Sequence, residues 1–390
     1  EIAMKKILFL CSRVPYPLVG GDKIRMFNSL RLLSEEYSVD LLYIDVEYPN
    51  EDVNISLKKY CNEIYCFKVS KLSHYIQTLI GLFTNRKPLQ VNYYYNRKVQ
   101  KWIDDNIDNY NMIYFNHIRM TEYVRKHNTC KIVDFVDSIA MNYIKAYKKS
   151  FGIWKLIYKI EKKRVKVYEK EIAIEFEKKI IISSVDRKFI DPDNLYNIKV
   201  IGNFVSEIIY NHDLEEKSDQ LCFLGKMNYE PNVSATIYFA KEIFPILKEL
   251  NNNISFKIIG AFPIKKIIEL ESIKDIEVMG FVKNPYDEIQ KSQLFIAPMV
   301  SGAGIQNKIL EAMKIGKCVI TTTIGAEGLE CLKGNELIIA DSKEDLIEKI
   351  MFYLENKKIR DEIGRNAQRY IQKYFSKEKI RHSFLEFIND

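Results

Sequence analysis

Short apolar runs alternate with longer amphipathic segments along almost the whole chain, and this alternation restricts the fold more than any other feature. The first series begins with the apolar run KKILFLC at 5–11, continues at helical spacing between Lys23 and Glu36, and reaches a second apolar run at Val39–Ile44. Strands that alternate with helices favour parallel sheets with right-handed crossovers. The sequence therefore predicts an α/β fold built from doubly wound sheets.

The alternation occurs in two series, which predicts two domains. A chain of 390 residues is longer than one Rossmann-like core usually needs. The polar stretch Asn211–Asp219 separates the two series, and a new strand is predicted at Gln220–Leu224. We predict Rossmann-like domains at 4–205 and 206–375, followed by a helix at 376–390 as a candidate to cross back to the first domain.

A loop of small residues precedes a predicted helix at Gly304–Ile315, after the predicted strand Leu294–Pro298. Backbone N–H groups and the positive end of the helix dipole converge at such a place and favour a phosphate. Glycine also lets a ligand approach the backbone closely. We interpret the loop and Lys308 as a diphosphate site and Glu311 as a carboxylate for a ribose, with an ordinary strand-to-helix turn as the alternative. The loop residues are Ser301, Gly302, Ala303 and Gly304.

A family resemblance is carried by several stretches in a fixed order. They are GKMNYEPN at 225–232, GFV at 280–282, SGAG and KILEAM within 301–313, VITTTIGAEG at 319–328, and PYPLVGG at 15–21 with Arg25. Together they resemble family 4 retaining glycosyltransferases, most closely the subgroup encoded with exopolysaccharide systems. The resemblance covers nearly the whole chain. It implies the GT-B fold, in which two Rossmann-like domains face each other across a cleft, with the acceptor domain at 4–205 and the nucleotide-sugar donor domain at 206–375.

The resemblance also implies roles for individual donor-site residues. Glu311 matches the second glutamate of the family's Glu-(seven residues)-Glu motif, which binds the donor ribose. The first glutamate is replaced by Ala303, so backbone amides are expected to hold the sugar hydroxyls. Lys226 falls where the family places an arginine on the diphosphate, and Lys308 is expected to supply a second positive charge; a solvated turn lysine is the alternative for Lys226. The other implied donor contacts are Gly20, Gly21, Arg25, Phe281 and Val282.

Candidates for acceptor activation follow apolar strands in the N-terminal half. Asp134 and Asp137 lie in the run VDFVDS at 133–138, and His117 follows the predicted strand Met112–Asn116. Any of the three could orient or deprotonate an acceptor hydroxyl. A helix cap is the alternative for Asp137. Because Ala303 removes one carboxylate, the sequence offers no pair for a double displacement, and we expect the acceptor to attack from the leaving-group face.

The positive charge of the chain is concentrated in one segment. Residues 145–179 contain 12 Lys/Arg and 5 Asp/Glu, whereas the net charge of the whole chain is +7. Ile153, Ile160, Val165 and Tyr168 recur there at helical spacing. Such a helix is able to lie on anionic lipid headgroups, although a packed helix with a solvated charged face is an equal alternative. No nucleic-acid-binding module accompanies the charge.

Several classes of protein are disfavoured by composition. The seven cysteines show no CxxC spacing, so we expect buried reduced thiols, no metal and no cofactor. No apolar run reaches 18 residues and no signal-peptide pattern is visible, so we expect a cytoplasmic protein, with peripheral attachment to the inner face of the membrane as an option. The predicted function is sugar transfer from a nucleoside diphosphate-sugar to a glycan or lipid-linked glycan. A catalytically weak nucleotide-sugar-binding subunit and a nucleotide-sugar epimerase are the alternatives.

Overall fold

The computed structural model describes residues 4–18, 21–46, 51–205, 211, 213–302, 304–331 and 333–390. The chain divides into two compact units. Unit 1 comprises residues 1–203 together with 381–390, and unit 2 comprises residues 204–380. The division falls close to the predicted boundary at 205/206, and the C-terminal residues from 381 onward belong to unit 1.

Unit 1 contains a parallel sheet of buried apolar strands. Its strands are β1 Lys6–Cys11, β2 Ser38–Asp45, β3 Ile64–Lys68, β4 Met112–Asn116, β5 Cys130–Asp134, β6 Lys178–Ile181 and β7 Lys199–Val200. The order in the described sheet is β3-β2-β1-β4-β5-β6-β7, and every neighbouring pair is parallel. The order reverses direction between β1 and β4, as in Rossmann folds. Five of the six β1 residues are fully buried, as expected for a strand covered on both faces.

The helices of unit 1 cover this sheet. They are α1 Gly21–Leu33, α2 Glu51–Lys58, α3 Lys71–Thr84, α4 Leu89–Tyr94, α5 Arg97–Asn106, α6 Ile139–Lys149, α7 Gly152–Glu175 and α8 Ser184–Ile190. The basic segment at 145–179 was predicted as one helix, and this prediction is wrong. It forms the end of α6 and all of α7, because the chain turns at Ser150–Gly152, where Gly152 has a left-handed φ of 57°.

Unit 2 repeats the same topology. Its strands are β8 Gln220–Leu224, β9 Ser255–Ile259, β10 Ile276–Gly280, β11 Leu294–Ala297, β12 Cys318–Thr321 and β13 Ile338–Ile339. They form a parallel sheet in the order β10-β9-β8-β11-β12-β13, which reverses direction between β8 and β11. The doubly wound arrangement predicted from the sequence is therefore present in both units.

The helices of unit 2 follow its strands, and one of them is an exception to the start predicted above. They are α9 Glu230–Tyr238, α10 Phe244–Leu250, α11 Lys265–Ile268, α12 Pro285–Lys291, α13 Asn307–Ile315, α14 Lys343–Glu355 and α15 Lys357–Phe375, and α16 Lys377–Asn389 follows them. The exception is α13, which begins at Asn307 and not at Gly304. Gly304 has a φ of 66° and cannot be part of a right-handed helix, so the loop before α13 is longer than predicted.

The described cysteines are only partly as expected. Cys11, Cys61, Cys222 and Cys318 are buried free thiols, but Cys130 at the start of β5 is exposed.

Candidate functional site

The carboxyl ends of β8 and β11 form the centre of the candidate donor site in unit 2. Chains leaving these two neighbouring strands connect to opposite sides of the sheet, which opens a crevice where α/β proteins bind ligands. Lys226 follows β8, and the loop from Ser301 follows β11. The structure therefore brings together at one edge of unit 2 two motifs that lie 75 residues apart in the sequence.

The loop before α13 is held by a short series of hydrogen bonds. Lys308 Nζ donates to Gln306 Oε1 at 2.7 Å, and Gln306 Nε2 donates to the carbonyl of Gly304 at 3.2 Å. The Gly304 amide in turn donates to Glu327 Oε2 at 3.0 Å. Gly302 has a φ of 145°, a value that favours glycine. Ala303 lies outside the described residues.

Lys308 and Glu311 are partly buried and interact electrostatically. Burial lowers the pKa of the Lys308 ammonium to about 8, and the negative charge of Glu311 opposes this shift. Burial raises the pKa of Glu311 to about 7, and Lys308 opposes that shift. Burial, with a smaller contribution from Glu311, also raises the pKa of the Tyr286 phenol on α12. Perturbed groups that share a crevice are characteristic of ligand sites.

The remaining predicted donor residues of unit 2 also follow strand ends. Lys226 is partly buried, and its ammonium lies 5.6 Å from the centre of the Phe262 ring. Its carbonyl accepts a hydrogen bond from Asn232 Nδ2 at 3.1 Å, which fixes the turn. Phe281 is 78% exposed at the end of β10, and Val282 packs against the core of unit 2. The role of this segment in binding the base stays a prediction.

Two predicted site residues of unit 1 form a buried ion pair. Arg25 on α1 donates from Nε to Asp134 Oδ2 at 2.6 Å, and the two side chains are 3% and 0% exposed. Asp134 also accepts from the Tyr114 hydroxyl at 2.6 Å and from the Val136 amide at 2.9 Å. The roles predicted for Arg25 as a donor cation and for Asp134 as a base do not fit this geometry. Both side chains instead fasten α1 to the sheet.

The glycine-rich loop after β1 is described only in part. Gly20 lies outside the described residues, and Gly21 is the first residue of α1. Beside this helix start, Arg13 Nη1 and Asp22 Oδ2 form an ion pair at 3.3 Å. The loop therefore has a polar, charged surrounding at the point where the sheet order of unit 1 reverses.

His117 lies directly after β4 in an unusual backbone conformation. Its φ is 64°, and the side chain is 4% exposed. Within the described residues, neither ring nitrogen has a hydrogen-bond partner. Burial lowers the pKa of the imidazole well below its usual value, and the positive charges of Arg119 and Arg13 act in the same direction. A strained residue with an unpaired buried ring is typical of a functional position.

Asp137 follows β5 and is the best-placed carboxylate of unit 1. Burial and, to a smaller extent, the negative charge of Asp186 raise its pKa to about 6, although a hydrogen bond from Asn142 Nδ2 at 2.9 Å opposes this shift. The alternative that Asp137 caps the next helix is wrong. Ser138 caps α6, since its hydroxyl accepts from the Met141 amide at 3.2 Å.

Three residues that contribute to these sites were missed in the sequence. Glu327 contacts the phosphate loop from the segment after β12, Tyr286 adjoins Glu311, and Arg119 adjoins His117 and Asp137. Glu327 lies in the quoted run VITTTIGAEG, at the carboxyl end of the strand next to β11. Its position after a strand was thus an available signal. Tyr286 and Arg119 gave none, because single residues in helical segments carry no local pattern.

Comparison with known proteins identifies the class of the chain. Residues 218–356 match a family profile described as Glycosyl transferases group 1. Over 404 aligned residues, the chain is 26% identical to an uncharacterized 44.6 kDa protein in the cps region of Klebsiella pneumoniae, covering 98% of this chain and 100% of the relative.

Solved structures share the fold over the full length. The crystal structure of TarM has a TM-score of 0.70 at 13% identity, covering 100% of this chain and 99% of TarM. The structure of HepE from Anabaena in complex with UDP-glucose has a TM-score of 0.66 at 15% identity, covering 98% and 99% of the two chains. Both units thus correspond to the two α/β domains of GT-B structures. The prediction of a glycosyltransferase is confirmed: the chain is a glycosyltransferase with the GT-B fold, and its residues 218–356 are similar to the group 1 glycosyl transferases.

Proposed function

We propose that this protein transfers a sugar, with retention of anomeric configuration, from a nucleoside diphosphate-sugar to a glycan or lipid-linked glycan of a cell-surface polysaccharide. The observation that carries the proposal is the loop at the reversal point of the unit 2 sheet, with the partly buried Lys308 and Glu311 beside it. The similarity to a protein of a cps region supports the role in polysaccharide synthesis. A structure of similar fold that holds UDP-glucose supports the donor class.

The charges of unit 2 fit a leaving nucleoside diphosphate. When the glycosidic bond breaks, negative charge accumulates on the diphosphate, and fixed positive charge stabilises it most in the transition state. Lys308 and Lys226 supply this charge without a metal ion in the proposed reaction. Because Lys308 is partly removed from water, its positive charge acts more strongly on the diphosphate than it would in bulk solvent. Glu311 binds the ribose hydroxyls as an acceptor of two hydrogen bonds.

Unit 1 supplies the groups for the acceptor in this proposal. Asp137, with a pKa raised to about 6, is ionised at neutral pH and close to the proton affinity that a general base needs. His117 stays neutral and offers one donor and one acceptor nitrogen. The acceptor hydroxyl attacks from the leaving-group face, since position 303 lacks the carboxylate for a covalent intermediate.

The donor proposal is tested by a binding and turnover screen. UDP-, GDP-, ADP- and dTDP-sugars are added separately to the full chain, with thermal shift for binding and mass spectrometry for products. At least one donor should bind, and Glu311→Ala should weaken its binding about 10- to 100-fold, the range expected for loss of a buried charged hydrogen-bonding group. Failure of all four donors to bind would refute the donor site.

A second partner is proposed from the surface of unit 1, namely an anionic membrane. No helix in the described part of the chain is long and apolar enough to cross a bilayer. Helices α3 and α7 nevertheless expose many large apolar side chains. On α3 these are Leu72, Tyr75, Ile76, Leu79, Ile80, Leu82 and Phe83, and at the start of α7 they are Phe151, Ile153, Trp154, Leu156 and Ile160. We call these two groups the apolar face.

The charge around the apolar face favours anionic lipid. Glu161 and Glu169 of α7 are buried, where they accept hydrogen bonds from the amides of Leu89 and Ile139. The charged side chains that α7 exposes before Glu171 are therefore all lysines: Lys155, Lys159, Lys163, Lys166 and Lys170. Such a surface combines apolar insertion with attraction to anionic headgroups, worth about 1 kcal/mol per basic residue near the surface.

Vesicle sedimentation tests this partner. The full chain should sediment with phosphatidylcholine vesicles that contain phosphatidylglycerol and much less with phosphatidylcholine alone. Two double variants should reduce binding: Lys155→Glu with Lys159→Glu, and Leu79→Ser with Phe83→Ser. The control is Phe352→Ser, which removes an exposed apolar side chain of unit 2 and should leave binding unchanged. If the apolar variants convert a dimer into a monomer and leave vesicle binding unchanged, the face is a self-association surface and the membrane proposal is wrong.

A further inference from the structure

Arg119 and Gln90 form a partly buried pair that the reaction described above does not use. Arg119 Nε donates to Gln90 Oε1 at 2.8 Å, and the guanidinium carbon lies 5.3 Å from the centre of the Tyr94 ring. Among the described residues, Arg119 makes no ion pair with a carboxylate. Arg119 Nη1 and Gln90 Nε2 are buried and have no hydrogen-bond partner there. One hydrogen bond thus holds the two side chains together, while one donor nitrogen of each has no partner in the described structure.

The unsatisfied atoms determine the chemistry of a ligand. Nη1 of an arginine and Nε2 of a glutamine are only donors, and His117 nearby adds two unpaired ring nitrogens. A buried donor without a partner is less stable than a paired one, so acceptor oxygens that meet these donors stabilise the arrangement. The charge of Arg119 without a carboxylate partner favours an oxyanion over a neutral hydroxyl.

The position of the pair relates it to the acceptor. Gln90 and Tyr94 lie on α4, the short helix whose first amide, that of Leu89, donates to Glu161 of α7 at 2.7 Å. Helix α4 also contacts the end of α3 through Asn92, which exchanges hydrogen bonds of 3.2 Å with Asn85. Arg119 follows His117 by two residues, and its positive charge lowers the pKa of both His117 and Asp137. Arg119 thus contacts α4, which is hydrogen-bonded to α7 and to the end of α3, and acts electrostatically on the proposed base.

We propose that Arg119 and Gln90 form an acceptor subsite that binds an oxyanion of the acceptor, either a phosphate that links it to a lipid or a carboxylate of an acidic sugar. This inference rests on the proposed function, because it names the class of acceptor for that reaction. The oxyanion accepts hydrogen bonds from Arg119 Nη1 and Gln90 Nε2 and thereby holds the acceptor hydroxyl near Asp137. Arg119 and Gln90 are binding residues and take no part in proton transfer.

Pyrophosphate binding to the full chain separates this subsite from the donor site. Inorganic pyrophosphate is titrated by calorimetry into the wild type, Gln90→Glu and Lys308→Met. Gln90→Glu keeps the oxygen that Arg119 Nε contacts and replaces only the unpaired donor, so the fold should be retained; a melting temperature near that of the wild type checks this. Gln290→Glu is the matched control, because Gln290 also has an unpaired buried Nε2 and an Oε1 that accepts, but lies in unit 2.

Two sites are expected in the wild type, one of which is weakened at least about tenfold by Gln90→Glu and the other by Lys308→Met, a loss of about 1.4 kcal/mol each. Gln290→Glu should keep both. If Gln90→Glu binds pyrophosphate as the wild type does, the subsite is refuted while the donor site stands. If Lys308→Met has no effect and Gln90→Glu removes all binding, the donor site is refuted instead.

Competition identifies the source of the oxyanion. Glucuronate that displaces pyrophosphate only from the site sensitive to Gln90→Glu would indicate an acidic sugar. Pyrophosphate binding there that glucuronate leaves intact would indicate a phosphate-linked lipid. A merely structural role for the pair predicts neither result, since Gln90→Glu would then only strengthen its contact with Arg119.

Discussion

The two units share one sheet order but build their candidate sites differently. In unit 2 the main donor groups, Lys308 and Glu311, both lie in the first turns of α13, directly after the phosphate loop. In unit 1 the groups come from separate segments after β4 and β5 and from α4, and they share no continuous motif. A site made from one segment is therefore visible in the sequence, whereas a site assembled from several becomes visible only in the fold.

The largest effect is expected when Asp137, the proposed base of unit 1, is replaced. Asp137→Asn should lower turnover about 10²- to 10⁴-fold, the usual contribution of a general base, while donor binding to unit 2 stays unchanged. Wild-type turnover should fall as the pH drops below about 6, because Asp137 is protonated there. Steady-state rates and donor thermal shifts measure both effects. Unchanged turnover would remove Asp137 from the mechanism.

The second prediction concerns the buried ion pair of unit 1, which we expect to contribute to the stability of the fold and not to the reaction. Asp134→Ala leaves Arg25 buried without a counter-charge, so the free energy of unfolding should fall by about 3–5 kcal/mol. Donor binding per folded molecule should remain. Urea unfolding monitored by circular dichroism measures the change, and the double variant Arg25→Met with Asp134→Leu should recover most of it. If Asp134→Ala is as stable as the wild type but has lost turnover, Asp134 has a catalytic role.

The error over Arg25 and Asp134 shows what sequence reasoning lacks. Each was assigned by its place after a strand or a glycine-rich loop, and each assignment of place was right: Asp134 ends β5 and Arg25 lies in the first turns of α1. Whether a side chain at such a place turns toward a ligand or toward a partner depends on residues 109 positions away. No local pattern contains that information.

The phosphate loop shows the opposite case. Strand β11, the glycines and the helical spacing from Ile309 onward are consecutive, so the position of the loop followed from the sequence. The start of α13 was predicted three residues too early, at Gly304, because the sequence does not show the left-handed φ that keeps this glycine out of the helix. The contact from Glu327 required the pairing of β11 with β12, which the sequence does not show.

The third prediction tests whether the charge of unit 2 acts through Lys308. Its pKa is lowered to about 8, so the ammonium charge of the free protein is present below this pH and is lost above it. Nucleoside diphosphate binding should therefore weaken about tenfold between pH 7 and 9, since one pH unit above the pKa corresponds to about 1.4 kcal/mol. Lys308→Arg should bind with little dependence on pH in that range, because a guanidinium stays charged. If binding to Lys308→Arg weakens in the same way between pH 7 and 9, a group other than Lys308 causes the pH dependence.

The smallest expected effect comes from Glu327, whose carboxylate contacts the Gly304 amide in the phosphate loop. Glu327→Gln keeps an oxygen for that amide and removes a negative charge near the proposed diphosphate. Nucleoside diphosphate affinity should therefore rise about two- to fivefold at low salt and by less at high salt, where screening is stronger. Calorimetry at two salt concentrations measures this, with Glu330→Gln, an exposed carboxylate three residues further on, as the control. Weaker binding in Glu327→Gln would show that this carboxylate orders the loop more than it repels the ligand. The donor site of unit 2 would then depend, like the site of unit 1, on a contact that no single segment contains.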